Sequence, residues 1–143
     1  MGATTPAAFD PVLLAGHNTI SLVCASAVLA GQVVAFNGTG VDLTIEPANG
    51  VTTIGPIGVA METGATGDYI AVALPGAVLK VCEGAGSGVD AGDCLSVGGA
   101  LGCVITTVDS ADHYQVGVAI EDITANKTGY ALLTAPAWVA KGA

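Results

Sequence analysis

The chain has 143 residues, of which 52 % are hydrophobic, 10 % charged and 4 % aromatic, and its formal net charge is −9. Three basic residues cannot neutralise a phosphate backbone, which excludes nucleic-acid binding driven by counterion release. The hydrophobicity excludes a disordered chain, and the scarcity of Glu, Lys and Leu excludes a coiled coil. What is left is one compact Ala/Val/Gly-rich body with too little charge to solvate a whole surface, a composition that suits partial burial in an assembly.

Residues 1–19 lack periodicity, and Thr4, Thr5, Pro6 and Pro11 favour an extended N-terminal arm. Residues 20–36 are uncharged and touch the lower edge of transmembrane length. Gly31 and Gln32 split them as a turn would, and no positive segment precedes them, so they read as two buried strands rather than a membrane span or a signal peptide. The expected site of synthesis is the cytoplasm.

Short strands separated by turn chemistry follow. Residues 33–36 end at Asn37-Gly38, 57–61 run into a Gly/Thr-rich turn, and 69–74 end at Pro75-Gly76 before 77–81. Residues 83–92 read as a loop. Residues 94–97, Gly98-Gly99 and 100–105 read as a hairpin, and 116–121 and 130–135 complete the set. The expectation is an all-β fold, a compact barrel or sandwich.

An internal repeat is the most informative feature. Ala30-Gly31-Gln32-Val33-Val34 recurs as Ala91-Gly92-Asp93-Cys94-Leu95, and Gly58-Val59-Ala60-Met61-Glu62 recurs as Gly117-Val118-Ala119-Ile120-Glu121. Thr66-Gly67-Asp68-Tyr69 is echoed by Thr128-Gly129-Tyr130, and Leu74-Pro75 by Ala135-Pro136. Two copies, at about 30–76 and 91–136, are too few for a solenoid. They predict two similar halves around one core in a single β domain over 20–143, with 1–19 as the arm. Each Gly-Val-Ala-x-Glu segment should alternate a core Val with an outward carboxylate at the strand end.

Motifs that carry chemistry are weak. Gly84-Ala85-Gly86-Ser87-Gly88 looks friendly to phosphate, but Val89 breaks the dinucleotide fingerprint and no G-x-x-x-x-G-K occurs. No nucleophile elbow is present. Asp109, Asp112 and His113 read as a solvated loop in preference to a metal cluster or an enzyme site. No catalytic residue, cofactor site or metal site is assigned. The cysteines at 24, 82, 94 and 103 lack a C-x-x-C spacing. A two-residue Gly98-Gly99 turn would set Cys94 opposite Cys103, which predicts a cross-strand cysteine pair. The two glycosylation sequons at Asn37 and Asn126 are read as chance matches.

The G-(D/Q)-x-V strand (Gly31-Gln32-Val33-Val34), the Ile57-Gly58-Val59-Ala60-Met61-Glu62 segment and the strand running from Gly67 to Gly76 resemble those of small tailed-phage capsid decoration (cement) proteins. The second copy echoes them at Gly92-Asp93, at Val116-Gly117-Val118-Ala119-Ile120-Glu121 and at Thr128-Gly129. The resemblance implies a non-enzymatic virion protein on the outer surface of an icosahedral head, commonly a homotrimer that bridges capsomers and binds the major capsid protein. It also implies attachment through the N-terminal arm, here Thr4, Thr5, Pro6, Phe9 and Pro11. No nucleic acid and no membrane is expected as partner. The competing reading is a carbohydrate- or ligand-binding β module, which would need an exposed aromatic platform drawn from Phe9, Phe36, Tyr69, Tyr114, Tyr130 and Trp138.

Overall fold

The computed structural model describes residues 13–15, 18–38, 43–49, 55–98, 101–107 and 112–140. Every regular element among them is a strand: β1 (Leu13–Ala15), β2 (Thr19–Cys24), β3 (Val33–Phe36), β4 (Thr44–Pro47), β5 (Pro56–Ala60), β6 (Tyr69–Ala73), β7 (Val78–Cys82), β8 (Cys94–Val97), β9 (Val104–Thr106), β10 (His113–Ala119) and β11 (Thr128–Val139). The expected all-β class is the one observed. Within the segment expected to form the extended arm, residues 13–15 form β1, which pairs with β7 through Leu13↔Leu79 and Ala15↔Val78. Residues 1–12 lie outside the described set.

The first half is a closed barrel in the order β2-β4-β3-β5-β6. Its closure joins β2 to β4 in parallel, through Val23↔Thr44 and Cys24↔Ile45. Alternate residues of each strand point inward, as the pleat requires. The interior holds Leu22, Cys24, Val28, Val34, Ile45, Ala60, Ile70 and Val72, with Phe36 and Ile57 packed against them. Ile45 and Ile70 are almost wholly buried, and each such side chain contributes roughly 1.5–3 kcal/mol.

The second half repeats this strand order in an open sheet that β1 joins at the β7 edge. Its strands run β7-β11-β10-β8-β9, the counterparts of β2-β6-β5-β3-β4. In place of the parallel β2–β4 ladder stands one parallel bridge, Glu83↔Val104, which lies 59 residues beyond Cys24↔Ile45. The loop hydrogen bonds recur as well. The reciprocal bonds between Val28 and Gly64 reappear between Val89 and Ile123. The Gly31 N–H donates to the Ala60 carbonyl, and the Gly92 N–H donates to that of Ala119. Both copies carry a bulge at the same place, at Ile57 in β5 and at Val116 in β10.

The strand-end carboxylates are exposed, as expected, and each has a partner. The expected core valine is not found in both copies: Val59 is buried outside the barrel interior and Val118 is only half-buried, because each lies on the outer face of its strand. Glu62 accepts the Ala71 N–H at 2.7 Å, and Glu121 accepts the Tyr130 N–H at 2.9 Å. Gln32 and Asp93, at matching places before β3 and β8, close equivalent turns by accepting the N–H of Leu29 and of Asp90.

The halves meet end to side. Val33, Ala35, Val59 and Ala73 point out of the first barrel, yet all are buried in one cluster with Leu79, Val97, Val116 and Leu133 from one end of the second half. Backbone bonds pin the joint: the Cys82 N–H donates to Gly31 O at 3.1 Å, and the Val33 N–H to Gly102 O at 2.7 Å. The side of the first barrel therefore receives the end of the second half, and two different surfaces are in contact.

Candidate functional site

Among the described residues, the outer face of the second half presents an apolar row to solvent. Cys94, Val118, Leu132 and Val78 sit in register across β8, β10, β11 and β7 and form one transverse row. Cys94 and Leu132 are exposed and the two valines half-buried. Ile120, just beyond β10, adds to the apolar area, and Lys80 lies over the Tyr130 ring at 5.4 Å. Further along β10 and β11, Tyr114 and Trp138 meet edge to face at 4.8 Å, inclined by 64°. That inclination does not make a flat stacking platform. Such a row associates by apolar burial, with no chemistry of its own.

The glycine-rich loop has an internal occupant. Glu83 takes the place that Cys24 holds in the first barrel, and the loop after it is two residues longer than its counterpart. The Glu83 carboxylate is buried and accepts N–H groups from Ala85 at 2.8 Å, Gly86 at 3.2 Å and Asn126 at 2.7 Å. Burial pushes its acidity toward the neutral form, but the backbone donors outweigh burial and hold the carboxyl below its ordinary range. The amides that made this loop look suited to phosphate are directed at the protein's own carboxylate.

The cysteine register differs from the expected one. β8 and β9 pair through Val97↔Val104, Ser96↔Ile105 and Leu95↔Thr106, so β8 ends at Val97, β9 begins at Val104, and Cys94 lies across from Thr107. The cause is tertiary. Gly102 donates to the Ala48 carbonyl and accepts from the Val33 N–H, so the first barrel holds Gly102 away from β8, and the ladder continues instead through the Gly98 N–H to the Cys103 carbonyl. Cys103 instead meets Cys82, with the sulfurs 2.8 Å apart and both thiols free. Burial, followed by the Cys103 contact, pushes the Cys82 thiol far up. Cys24 is buried too, and burial raises its thiol, reinforced by Asp68 and Glu62.

His113 belongs to the start of β10, where it is buried opposite Val139, and not to a solvated loop. Asp112 is exposed, and Asp109 lies outside the described residues. Among the described residues no three His, Cys, Asp or Glu side chains are grouped to hold a metal ion, and no helix is long and apolar enough to cross a membrane. The cleft between β5 and β11, lined by Pro56, Pro75, Val116 and Pro136 among others, encloses about 10 Å³. That is room for one water at most. Thr4, Thr5, Pro6, Phe9 and Pro11 lie outside the described residues.

Comparison with known proteins bears on what these surfaces are for. The family model described as phage cement protein matches residues 14–134, which takes in both halves. The crystal structure of the N base of the head fiber gp8.5 of bacteriophage phi29 is similar at a TM-score of 0.62 and 25 % identity, covering 82 % of this chain and 93 % of that one. No curated protein sequence matches the chain significantly.

Proposed function

Since the chain belongs to the phage cement protein family, we propose that it is a non-enzymatic structural protein of a phage virion. On this reading it decorates the outer surface of an icosahedral head at the junctions between capsomers. Its partners are the major capsid protein and further copies of itself, as a homotrimer, and it is made in the host cytoplasm. The observation that carries the reading is the extent of the family match, which spans both halves of the repeat and not one motif. The phage head-fiber base similar over most of the chain supports it.

The physical account is one of added contacts. DNA packed in a head pushes capsomers apart, and a protein seated across their junction resists separation by the free energy of its own binding. A trimer multiplies that contribution, since the second and third contacts form at high effective concentration. The N-terminal segment, with Thr4, Thr5, Pro6, Phe9 and Pro11, is the proposed attachment element. The net charge of −9 keeps free copies soluble and complements a basic patch on the shell. The test is to add the purified chain to heads that lack it and to follow both cosedimentation and survival under osmotic shock. Saturable binding that raises survival is expected. Absence of binding would overturn the reading.

A further inference from the structure

The joint inside the chain uses the side of the first barrel and the end of the second half. Because the two halves are copies, each also carries the surface that the joint leaves unused, and the pairing of burial across the repeat locates both. Ala73, on the side of the first barrel, is 0 % exposed, while its counterpart Leu132 is 38 % exposed. Val33 and Val59 are buried, while their counterparts Cys94 and Val118 are exposed and half-buried. Conversely, Leu79 at the end of the second half is 0 % exposed and its counterpart Ile20 is 42 % exposed. Val97, Val116 and Leu133 are buried, while Phe36, Ile57 and Leu74 in the same places are only half-buried.

The backbone repeats the contrast. Gly31 and Gly92 share the same left-handed conformation, φ +92°. A Cβ on Gly31 would lie 3.5 Å from Lys80 O and 3.8 Å from Cys82 N, because β7 packs there. At Gly92 the same space is open within 4 Å. The counterpart of the β7 segment that fills it is residues 21–23 of β2, at the half-open end of the first barrel.

We propose that the occupant of the row Cys94–Val118–Leu132–Val78 is a second copy of this chain. It enters through the end of its first barrel, with Ile20, Phe36, Ile57 and Leu74, and so rebuilds between chains the joint already formed within one. The two surfaces differ, so the contact is heterologous and runs head to tail. Such contacts either close into a ring or continue as a filament. Three chains closing in this way would place six repeat halves around one axis. This rests on the self-association proposed above and assigns its surfaces. Capsid binding is a separate matter.

The test uses the full-length chain, with Ile20→Glu and Leu132→Glu made singly. Both sites are partly exposed in the isolated chain, and circular dichroism checks that each variant folds. Light scattering is expected to give an oligomer for the unaltered chain and a monomer for each variant, with association at least tenfold weaker. An equimolar mixture of the two variants is then expected to give a two-chain complex, because each supplies the surface the other lacks. An unaltered chain that stays monomeric at all concentrations would overturn the proposal. So would either variant keeping the oligomer mass, or a mixture of folded variants staying monomeric. Parallel sedimentation of the unaltered chain with heads separates the two readings: a monomer that still binds heads removes this joint and leaves the capsid role standing.

Discussion

Gly129 and Ile123 exchange the places that Ile70 and Gly64 hold in the first barrel. A Cβ on Gly64 would lie 2.6 Å from Ile70 Cγ2, and a Cβ on Gly129 would lie 2.6 Å from Ile123 Cγ1. One isoleucine fills the same part of each half, but it is supplied by β6 in the first half and by the loop before β11 in the second. At this place the two copies share interior volume and not residue identity.

This exchange predicts a rescue. Gly129→Ala should cost about 1–3 kcal/mol of stability, the usual range for overpacking. Gly129→Ile paired with Ile123→Gly, which rebuilds the arrangement of the first barrel, should be more stable than Gly129→Ile alone. Denaturant midpoints measure both. Equal midpoints for the single and the double variant would contradict the equivalence of the two sites.

Glu83 should make the fold sensitive to acid. Its folded carboxyl titrates below its ordinary range because backbone N–H donors outweigh burial. Its stabilisation is therefore fully present above the unfolded value of about 4.3 and is lost as pH falls through the lower folded value. Glu83→Ala removes the shared acceptor of three loop N–H groups and should cost about 1–3 kcal/mol at neutral pH. In that variant the loss of stability on acidification should be shallower, which urea unfolding across pH 3–7 would reveal.

Asn126 stands where the first copy has Gly67, and both have positive φ, at 57° and 90°. Asn126→Gly should change stability by less than about 1 kcal/mol, because glycine reaches the left-handed region freely and asparagine tolerates it. Asn126→Ala should cost roughly 1–2 kcal/mol. Thermal unfolding of the two variants distinguishes these outcomes.

The thiols provide an independent probe of the proposed contact between chains. In the dissociated Ile20→Glu variant, exposed Cys94 should react quickly with an aromatic disulfide reagent, while Cys24, Cys82 and Cys103 react slowly. In the assembled chain Cys94 should slow as well. Peptide mapping of the labelled sites reads this directly.

Much of the fold is legible in the sequence because it rests on local rules. The Gly-Val-Ala-x-Glu segments mark β5 and β10, and the carboxylates at 62 and 121 are exposed because both strands end two residues before them. Turn chemistry places β3 and β8 at their observed bounds. What local rules miss is what the two halves do to each other. β4 is short and ends in Pro47, and it exists as a strand because β2 and β3 pair on both sides of it. The Gly98-Gly99 pair looks like a complete hairpin turn until the first barrel takes hold of Gly102, which lengthens the turn and moves Cys103 from Cys94 to Cys82. The apolar row on β8, β10, β11 and β7 is likewise invisible in sequence, since the equivalent row on the first barrel is buried and the patterns match.

Attachment to a phage head is best tested by cosedimentation of the purified full-length chain with heads that lack it, over a range of salt concentrations. Saturable pelleting is expected that weakens as salt rises and that fails when residues 1–11 are removed from a chain that still folds. A chain that stays in the supernatant at low salt would overturn attachment.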